Sequence, residues 1–286
     1  MDVNKYRFDG ERRLHLNDES TDESGNFSSK KDAAPHFAEN LKAMVELQGK
    51  LYASAEYAVL IVFQAMDAAG KDGAIGHVMG GLNPQGTEVF SFKQPSAEEL
   101  RHDYMWRIVR HLPERGKIGI FNRSYYEEVL ITRVHNLISA EHLPQRLTDH
   151  IWDKRFAQIV DFERYLYENG IIPIKFFLNI SKEEQKKRLL ARIDDKAKNW
   201  KFSESDVKER RFWDDYQKAY GEAINRTATH HAPWYVIPAD KKWYARLVVS
   251  EVIVKTLQTL GLDYPELSES QQGLLANYKR LFEEES

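Results

Sequence analysis

The chain has 286 residues, 42% of them hydrophobic, with 41 Lys and Arg against 44 Asp and Glu and no cysteine. That size suits one large α/β domain or two small ones, and the missing thiol excludes a disulfide frame and cysteine chemistry. A net charge of -3 exerts no bulk pull on a polyanion, so any basic groove must be local. No apolar run of about 18 residues and no signal-like segment occurs, which argues against a membrane span or export and for a cytoplasmic location.

Residues 1–32 are polar and weakly periodic, and read as an extended arm on the surface. From Ala33 to Leu51 the apolar positions Phe37, Leu41, Met44, Val45, Leu47 and Leu51 suit a helix. Strands are then expected at Tyr57–Ala65, Glu88–Lys93, Lys117–Asn122, Ile172–Ile180 and Trp234–Ile237. Helices are expected at Asp72–Met79, Ala97–Leu112, Ser124–Val134, Leu147–Glu168, Glu183–Ile193, Asp206–Thr229 and Trp243–Leu260. Near-continuous apolar strands alternating with helices predict a parallel sheet covered on both faces, spanning 33–262. Over 263–286, Leu274, Leu275, Tyr278, Leu281 and Phe282 form one face of a last helix, which needs this domain or a second subunit as partner.

The first strand runs into Asp67-Ala68-Ala69-Gly70-Lys71-Asp72-Gly73. Strand, Gly/Lys turn and helix is the context of a phosphate-binding loop, in which backbone N–H groups and the Lys ammonium face an anion. The loop departs from the usual motif: Ala65 stands at its first Gly, and Asp72 at the Ser or Thr after the Lys. Two acids beside a phosphate site would repel it, unless a divalent cation sits between them. Asp67, with Asp72 as a second candidate, is therefore a Mg²⁺ ligand, although Asp67 could simply cap the turn and Asp72 favour the first helical turn by its charge.

Asn122 and Arg123 end another strand and would lie beside that loop if the two strands are neighbours, where Arg123 offers a forked donor to phosphate. The alternative for Arg123 is a structural arginine paired with a carboxylate at the edge of the core. Ser124-Tyr125-Tyr126-Glu127 fits a capping box, which alone accounts for both Ser124 and Glu127. Lys93 ends a strand at the same sheet edge, and Arg133 follows two turns after the box. Arg188 and Arg192 lie one turn apart on a basic helix, and with the polar stretch after it, about 183–210, they read as the lid of a nucleotide kinase or as a solvated helix face. Lys154 and Arg155 read as solvated helix charges. No metal-spaced His set and no basic-aromatic array for nucleic acid appears.

Several stretches together, Phe63–Gly73, Asn83-Pro84-Gln85-Gly86, Ser91-Phe92-Lys93, Phe121–Glu127, Arg133-Val134-His135, Lys175–Leu178, Asn199–Phe202 and Ala232–Ala239, resemble polyphosphate kinase family 2 in order and spacing over about Phe37–Leu262. The resemblance implies a three-layer, thymidylate-kinase-like P-loop fold with a helical lid. It also implies Mg²⁺-dependent phosphoryl transfer between inorganic polyphosphate and adenine nucleotides, in a dimer or tetramer. Asp67, Lys71 and Arg123 then fall on catalytic positions, and so do Arg188 and Arg192 in the lid, whose guanidinium groups would neutralise the moving phosphoryl group. Ala68, Ala69, Gly70, Asp72, Gly73, Asn122, Glu127, Lys93 and Arg133 become binding residues. Members with Asp in place of Asn122 mostly phosphorylate diphosphates, so this version resembles the class III group, which takes AMP and ADP. Glu127 falls where that group differs from the diphosphate-specific one, which has Asn. From the residues alone, a nucleoside monophosphate kinase using ATP, or a non-catalytic phosphate-binding module, explains the same loop and lid.

Overall fold

A computed structural model describes residues 1–141 and 143–285; Ser286, the last residue of the expected C-terminal segment, lies outside them. Six strands form one sheet in the order β1-β6-β5-β2-β4-β3: β1 (Arg7–Phe8), β2 (Ala58–Ala65), β3 (Thr87–Ser91), β4 (Ile118–Asn122), β5 (Ile171–Asn179) and β6 (Trp234–Pro238). All pairings are parallel except that of β1 with β6. β2 is buried at all eight positions, as expected for a central strand covered on both faces.

Helices α1 (Lys30–Ser54), α2 (Lys71–Val78) and α10 (Lys242–Thr259) cover one face. The other carries α6 (Ile151–Glu168), α9 (Trp213–Thr227) and the short α4 (Ile131–Val134). Two further single turns, α3 (Trp106–Val109) and α5 (Gln145–Thr148), lie in the connections. α7 (Lys182–Asp194) and α8 (Glu204–Glu209) lead into α9, and α11 (Glu269–Glu284) ends the chain. This is the three-layer α/β, P-loop kinase-like arrangement expected from the sequence. Because β2 has β4 on one side and β5 on the other, the loop after β2 sits at the switch point where such sheets bind ligands.

Four expected helices are shorter or broken. Residues 97–112 form only a 3₁₀ turn, Glu99–Arg101, and α3. The segment after Ser124 is a 3₁₀ helix, Tyr125–Val129, that changes course at Leu130 before α4. His150, at φ 51°, separates α5 from α6, and a 3₁₀ turn, Arg210–Phe212, separates α8 from α9. Apolar spacing does not register these breaks, and the short pieces Glu99–Arg101, α4, α5 and α8 bury no residue of their own. The arm is more than a surface tail: Val3, Tyr6, Phe8, Leu14 and Leu16 are buried in the core and β1 closes the sheet edge at β6. Its short apolar positions lie too far apart to show a period. Arg155 is also not solvated; it is buried and donates to Glu128 at 2.7 Å.

Glu251 of α10 accepts from the His36 ring at 2.8 Å and from the Met1 amine at 3.1 Å. Burial opposes its ionisation, but these partners, with Asn40, outweigh burial and bring its pKa from 4.5 down to about 2. A depressed acid pKa adds stability above the unfolded value and loses it as pH falls through the folded one. Melting temperature should therefore fall between pH 4.5 and about 2, and Glu251→Gln should make that fall shallower; identical profiles would contradict the assignment.

Candidate active site

The site is assembled at the C-terminal ends of β2 and β4. The register pairs Phe63 with Asn122, and the Arg123 N–H donates to the Phe63 carbonyl at 3.0 Å, so the two strand ends turn out of the sheet together. Ala68 at φ 60° and Arg123 at φ 64° hold left-handed backbone at non-glycine positions, a local cost of about 1 kcal/mol or more each that recurs where a fold positions functional groups. Gly70, at φ 107°, is the N-cap of α2 and leaves the first N–H groups of the helix facing the loop.

Lys71 is half-buried and its ammonium donates to the Ala65 carbonyl at 2.8 Å, across the loop. Burial and the Arg123 guanidinium push its pKa down, while Asp67, Glu127 and Asp72 pull it up. Arg123 donates to Asp67 at 3.2 Å and lies 3.9 Å from Glu127. Asn122 donates to Asp72 at 2.7 Å. The sheet thus brings Asp67, Lys71, Asp72, Asn122, Arg123 and Glu127 together, as the neighbouring-strand condition required.

Glu127 does not close a capping box. Ser124 accepts from the Tyr126 N–H at 3.2 Å, but the turn is 3₁₀ and the Glu127 carboxylate faces Arg123 and Lys71 instead of returning to the Ser124 backbone. Burial raises its pKa, opposed by those two cations. Directly beneath, the buried Lys175 ammonium donates to Glu163 at 2.6 Å, to the Tyr126 hydroxyl at 3.0 Å and to the Thr227 carbonyl at 2.9 Å. Glu163 also accepts from the Tyr125 and Tyr126 hydroxyls at 2.7 and 2.8 Å. This network fixes the segment that carries Glu127.

The expected lid divides in two. Arg188 is buried and its guanidinium is spent on the loop frame: it donates to the carbonyls of Ala68, Ala69, Ala239 and Asp240 at 3.1, 2.6, 2.7 and 2.9 Å, and to Glu184 at 2.9 Å. The start of α7 is therefore fastened to the core. Arg192, one turn on, pairs with Asp206 of α8 at 2.7 Å, and Asn199 donates to the last carbonyls of α7. Arg210 donates to Gln185, which donates to the Asp67 carbonyl at 3.0 Å, so the segment after α7 is tied back to the loop. Arg133 is not brought to the site: its guanidinium turns to Glu222 of α9 at 2.8 Å and over Trp152 and Phe156, because α4 faces α9.

Two cavities of unlike chemistry meet here, sharing Asp67, Phe92, Lys93, Gln94 and Arg123. The first, about 620 Å³, is lined by nine Lys and Arg side chains against two acids, Asp67 and Asp72, with Phe92 its one aromatic among the described residues. It includes Ala68, Ala69, Gly70 and Gly73 of the loop, together with Arg188 and Arg192. The second, about 750 Å³, mixes aromatic rings (Tyr104, Tyr125, Tyr216, Tyr220) with the carboxylates Glu99, Glu127, Glu128, Asp206 and Glu209. Sequence reasoning missed Lys242 and Arg246 of α10 on the first cavity, and Asp206 and Glu209 on the second; they come from elements far along the chain, and only the spacing of Lys242 and Arg246, one turn apart, hinted at a shared face.

The described residues contain no cluster of three or more His, Asp or Glu suited to a metal, and no helix long and apolar enough to cross a membrane. Mg²⁺ does not need such a cage, since it takes one or two carboxylates and completes its shell with water and phosphate oxygens. Asp67 fits that use: its carboxylate is partly exposed between the cavities, with one oxygen facing Arg123.

The family model for Polyphosphate kinase 2 (PPK2) matches residues 27–263. An ADP-polyphosphate phosphotransferase from Rhodopseudomonas palustris is 52% identical over 84% of this chain and 86% of its own. An AMP/ADP-polyphosphate phosphotransferase from Meiothermus ruber is 45% identical over 92% and 96%. The crystal structure of polyphosphate kinase 2 from Arthrobacter aurescens superposes with a TM-score of 0.84 at 40% identity, covering 92% of this chain and 93% of that one. With the loop, the strand order and these matches in agreement, the chain belongs to the polyphosphate kinase 2 family.

Proposed function

We propose that the protein transfers the terminal phosphoryl group of inorganic polyphosphate to AMP and to ADP, reversibly, with Mg²⁺ held at Asp67. The observation that carries this reading is the meeting of two unlike cavities at Asp67 and Arg123. The cationic groove offers charge along its length and little stacking surface, which suits a donor made only of phosphates. The aromatic, mixed-polarity cavity suits a nucleotide. A kinase using ATP as donor would need a second base site on the groove side, where Phe92 is the one aromatic. The names of the relatives support the same donor and both acceptors.

In the reaction a terminal phosphate oxygen of the nucleotide attacks the terminal phosphorus of the polyphosphate. The bond from that phosphorus to the bridging oxygen breaks, and the shortened chain leaves with the electron pair. Such transfer depends on alignment and charge neutralisation more than on covalent catalysis. Lys71 and Arg123 neutralise the oxygens of the moving group, and bound Mg²⁺ would supply further positive charge between Asp67 and the phosphates. Arg188 is a positioning residue, holding the Ala68 and Ala69 carbonyls so that the loop N–H groups face the groove. Glu127 lies beside Arg123 at the acceptor side and discriminates between a monophosphate and a diphosphate acceptor. The exposed stripe of α11, with Leu274, Leu275, Tyr278, Leu281 and Phe282 each at least half exposed, supports self-association into a dimer or tetramer. A cytoplasmic location, where nucleotides are held, is part of the same proposal.

The test is a mixture of purified protein, AMP, Mg²⁺ and long-chain polyphosphate free of ATP, followed by ³¹P NMR. ADP and then ATP should form, and chelation of the metal should stop the reaction. Product that requires ATP as donor would favour a nucleoside monophosphate kinase, and binding without turnover a non-catalytic module. Glu127→Asn should lower kcat/KM for AMP about tenfold more than for ADP, a difference of about 1.4 kcal/mol. Equal losses with a lowered melting temperature would reduce Glu127 to a packing role.

A further inference from the structure

We infer that the hydroxyl of Tyr220 donates a hydrogen bond to the terminal phosphate of the acceptor nucleotide, beside Arg123, which makes Tyr220 a further substrate-binding residue. The inference rests on the acceptor reading above and adds a contact to it. α9 carries Tyr216 and Tyr220 one turn apart and is seated in the core through Ala219, Ala223 and Ile224. The Tyr220 ring packs on Phe177 of β5, with 4.4 Å between ring centroids, and the residue is only 4% exposed.

A buried hydroxyl ordinarily has a partner inside the protein. The other buried tyrosines follow that rule. Tyr6 and Tyr244 bond each other, Tyr125 and Tyr126 bond Glu163, Tyr216 bonds Glu209 and Tyr235 bonds Arg7. The hydroxyl of Tyr220 has no hydrogen-bond partner among the described residues. Nor is it sealed in the core: the sealed side-chain atoms that lack a partner are Gln64 Oε1 and Arg133 Nη1. Tyr220 lines the aromatic cavity, so its unused hydroxyl opens there.

Its neighbours place that opening at the transfer point. Burial raises the Tyr220 pKa well above the usual phenol range; Glu127 and Asp67 add to this, and Arg123 opposes them. The group is therefore a neutral O–H donor at every working pH. A phosphate bound at Arg123 presents negatively charged acceptor oxygens to that donor. A phenol adds no further positive charge to the acceptor phosphate, so it can orient the attacking oxygen with little loss of that oxygen's electron density.

The experiment uses Tyr220→Phe, which removes one oxygen and keeps the ring against Phe177. With polyphosphate and Mg²⁺, kcat/KM for AMP should fall about tenfold or more, while the KM for polyphosphate stays within about twofold. In titrations without donor, AMP should bind about tenfold more weakly, and adenosine, which lacks the phosphate, within about twofold of wild type. The melting temperature of the free protein should not fall, because the lost hydroxyl had no protein partner. Equal weakening of AMP and adenosine would move the contact to the ribose or base, and a melting temperature lowered by several degrees would make the hydroxyl structural; either overturns the inference. A wild type that neither binds AMP nor phosphorylates it refutes the acceptor reading, whereas an active wild type matched by Tyr220→Phe in AMP binding and rate refutes the hydroxyl contact alone.

Discussion

Lys71→Ala should lower turnover with polyphosphate and AMP by about 10²- to 10⁴-fold, or roughly 3–5 kcal/mol of transition-state stabilisation. The side chain is placed for that effect. It stands on the first residue of α2, its ammonium bonded across the loop to Ala65, with Asp67, Asp72 and Glu127 all close enough to bias its charge. Substrate phosphate can replace the Ala65 carbonyl as its partner without moving the backbone. The fold should survive, because the half-buried side chain contributes one hydrogen bond to a loop that Gly70, Arg188 and Gln185 also hold, a loss of about 1 kcal/mol. Lys71→Arg should not restore the rate, since a planar fork cannot take the place of a point charge in this turn. A Lys71→Ala protein with normal turnover and normal melting temperature would remove the loop from the chemistry.

Lys175→Met should be the most damaging single change to stability. Both partners of the Lys175–Glu163 pair are fully buried, and removing one leaves an uncompensated carboxylate between α6 and β5, at a cost of about 3–5 kcal/mol. For a chain of this size that corresponds to a fall in melting temperature on the order of 10 °C. Adding Glu163→Gln should recover part of the loss, because the neutral amide still accepts from the Tyr125 and Tyr126 hydroxyls while no charge is left buried. Activity should fall beyond what stability explains, since the two tyrosines set the course of the turn into Glu127 and Arg123. Thermal unfolding of the single and double variants checks both parts; a double variant no more stable than Lys175→Met would deny that the pair is coupled.

Some features of this architecture are written locally in the chain and others are not. β2 was legible as a strand because every position from Ala58 to Ala65 is buried, and its turn into Gly70-Lys71 because phosphate loops depend on local backbone. The neighbour relation of β2 and β4 followed only conditionally, yet it is what carries Arg123 to Asp67. Glu127 was ambiguous because a Ser with a Glu three residues on satisfies the capping pattern, and nothing local reveals that the turn becomes 3₁₀ and redirects the carboxylate. Arg188 and Arg192 share a helix face but have different partners. One meets the loop carbonyls and the other Asp206, a difference made by where α7 crosses the core. Arg133 follows the motif at the right spacing and still turns away, since α4 presents it to Glu222. Lys242 and Arg246 showed only as cations one turn apart, because the groove they line is formed with the loop after β2, far away in sequence; Arg246 lies beside Gly73 of α2, a position marked only by the side chain it lacks.

The most direct test of the whole account is a crystal structure with AMP, polyphosphate and Mn²⁺ in place of Mg²⁺, the metal located by anomalous scattering. The nucleotide should occupy the aromatic cavity with its phosphate at Arg123. The polyphosphate should lie over Lys71 in the cationic groove, and the metal should bridge it to Asp67. A metal remote from Asp67, or a nucleotide lying in the cationic groove over Lys71, would contradict it.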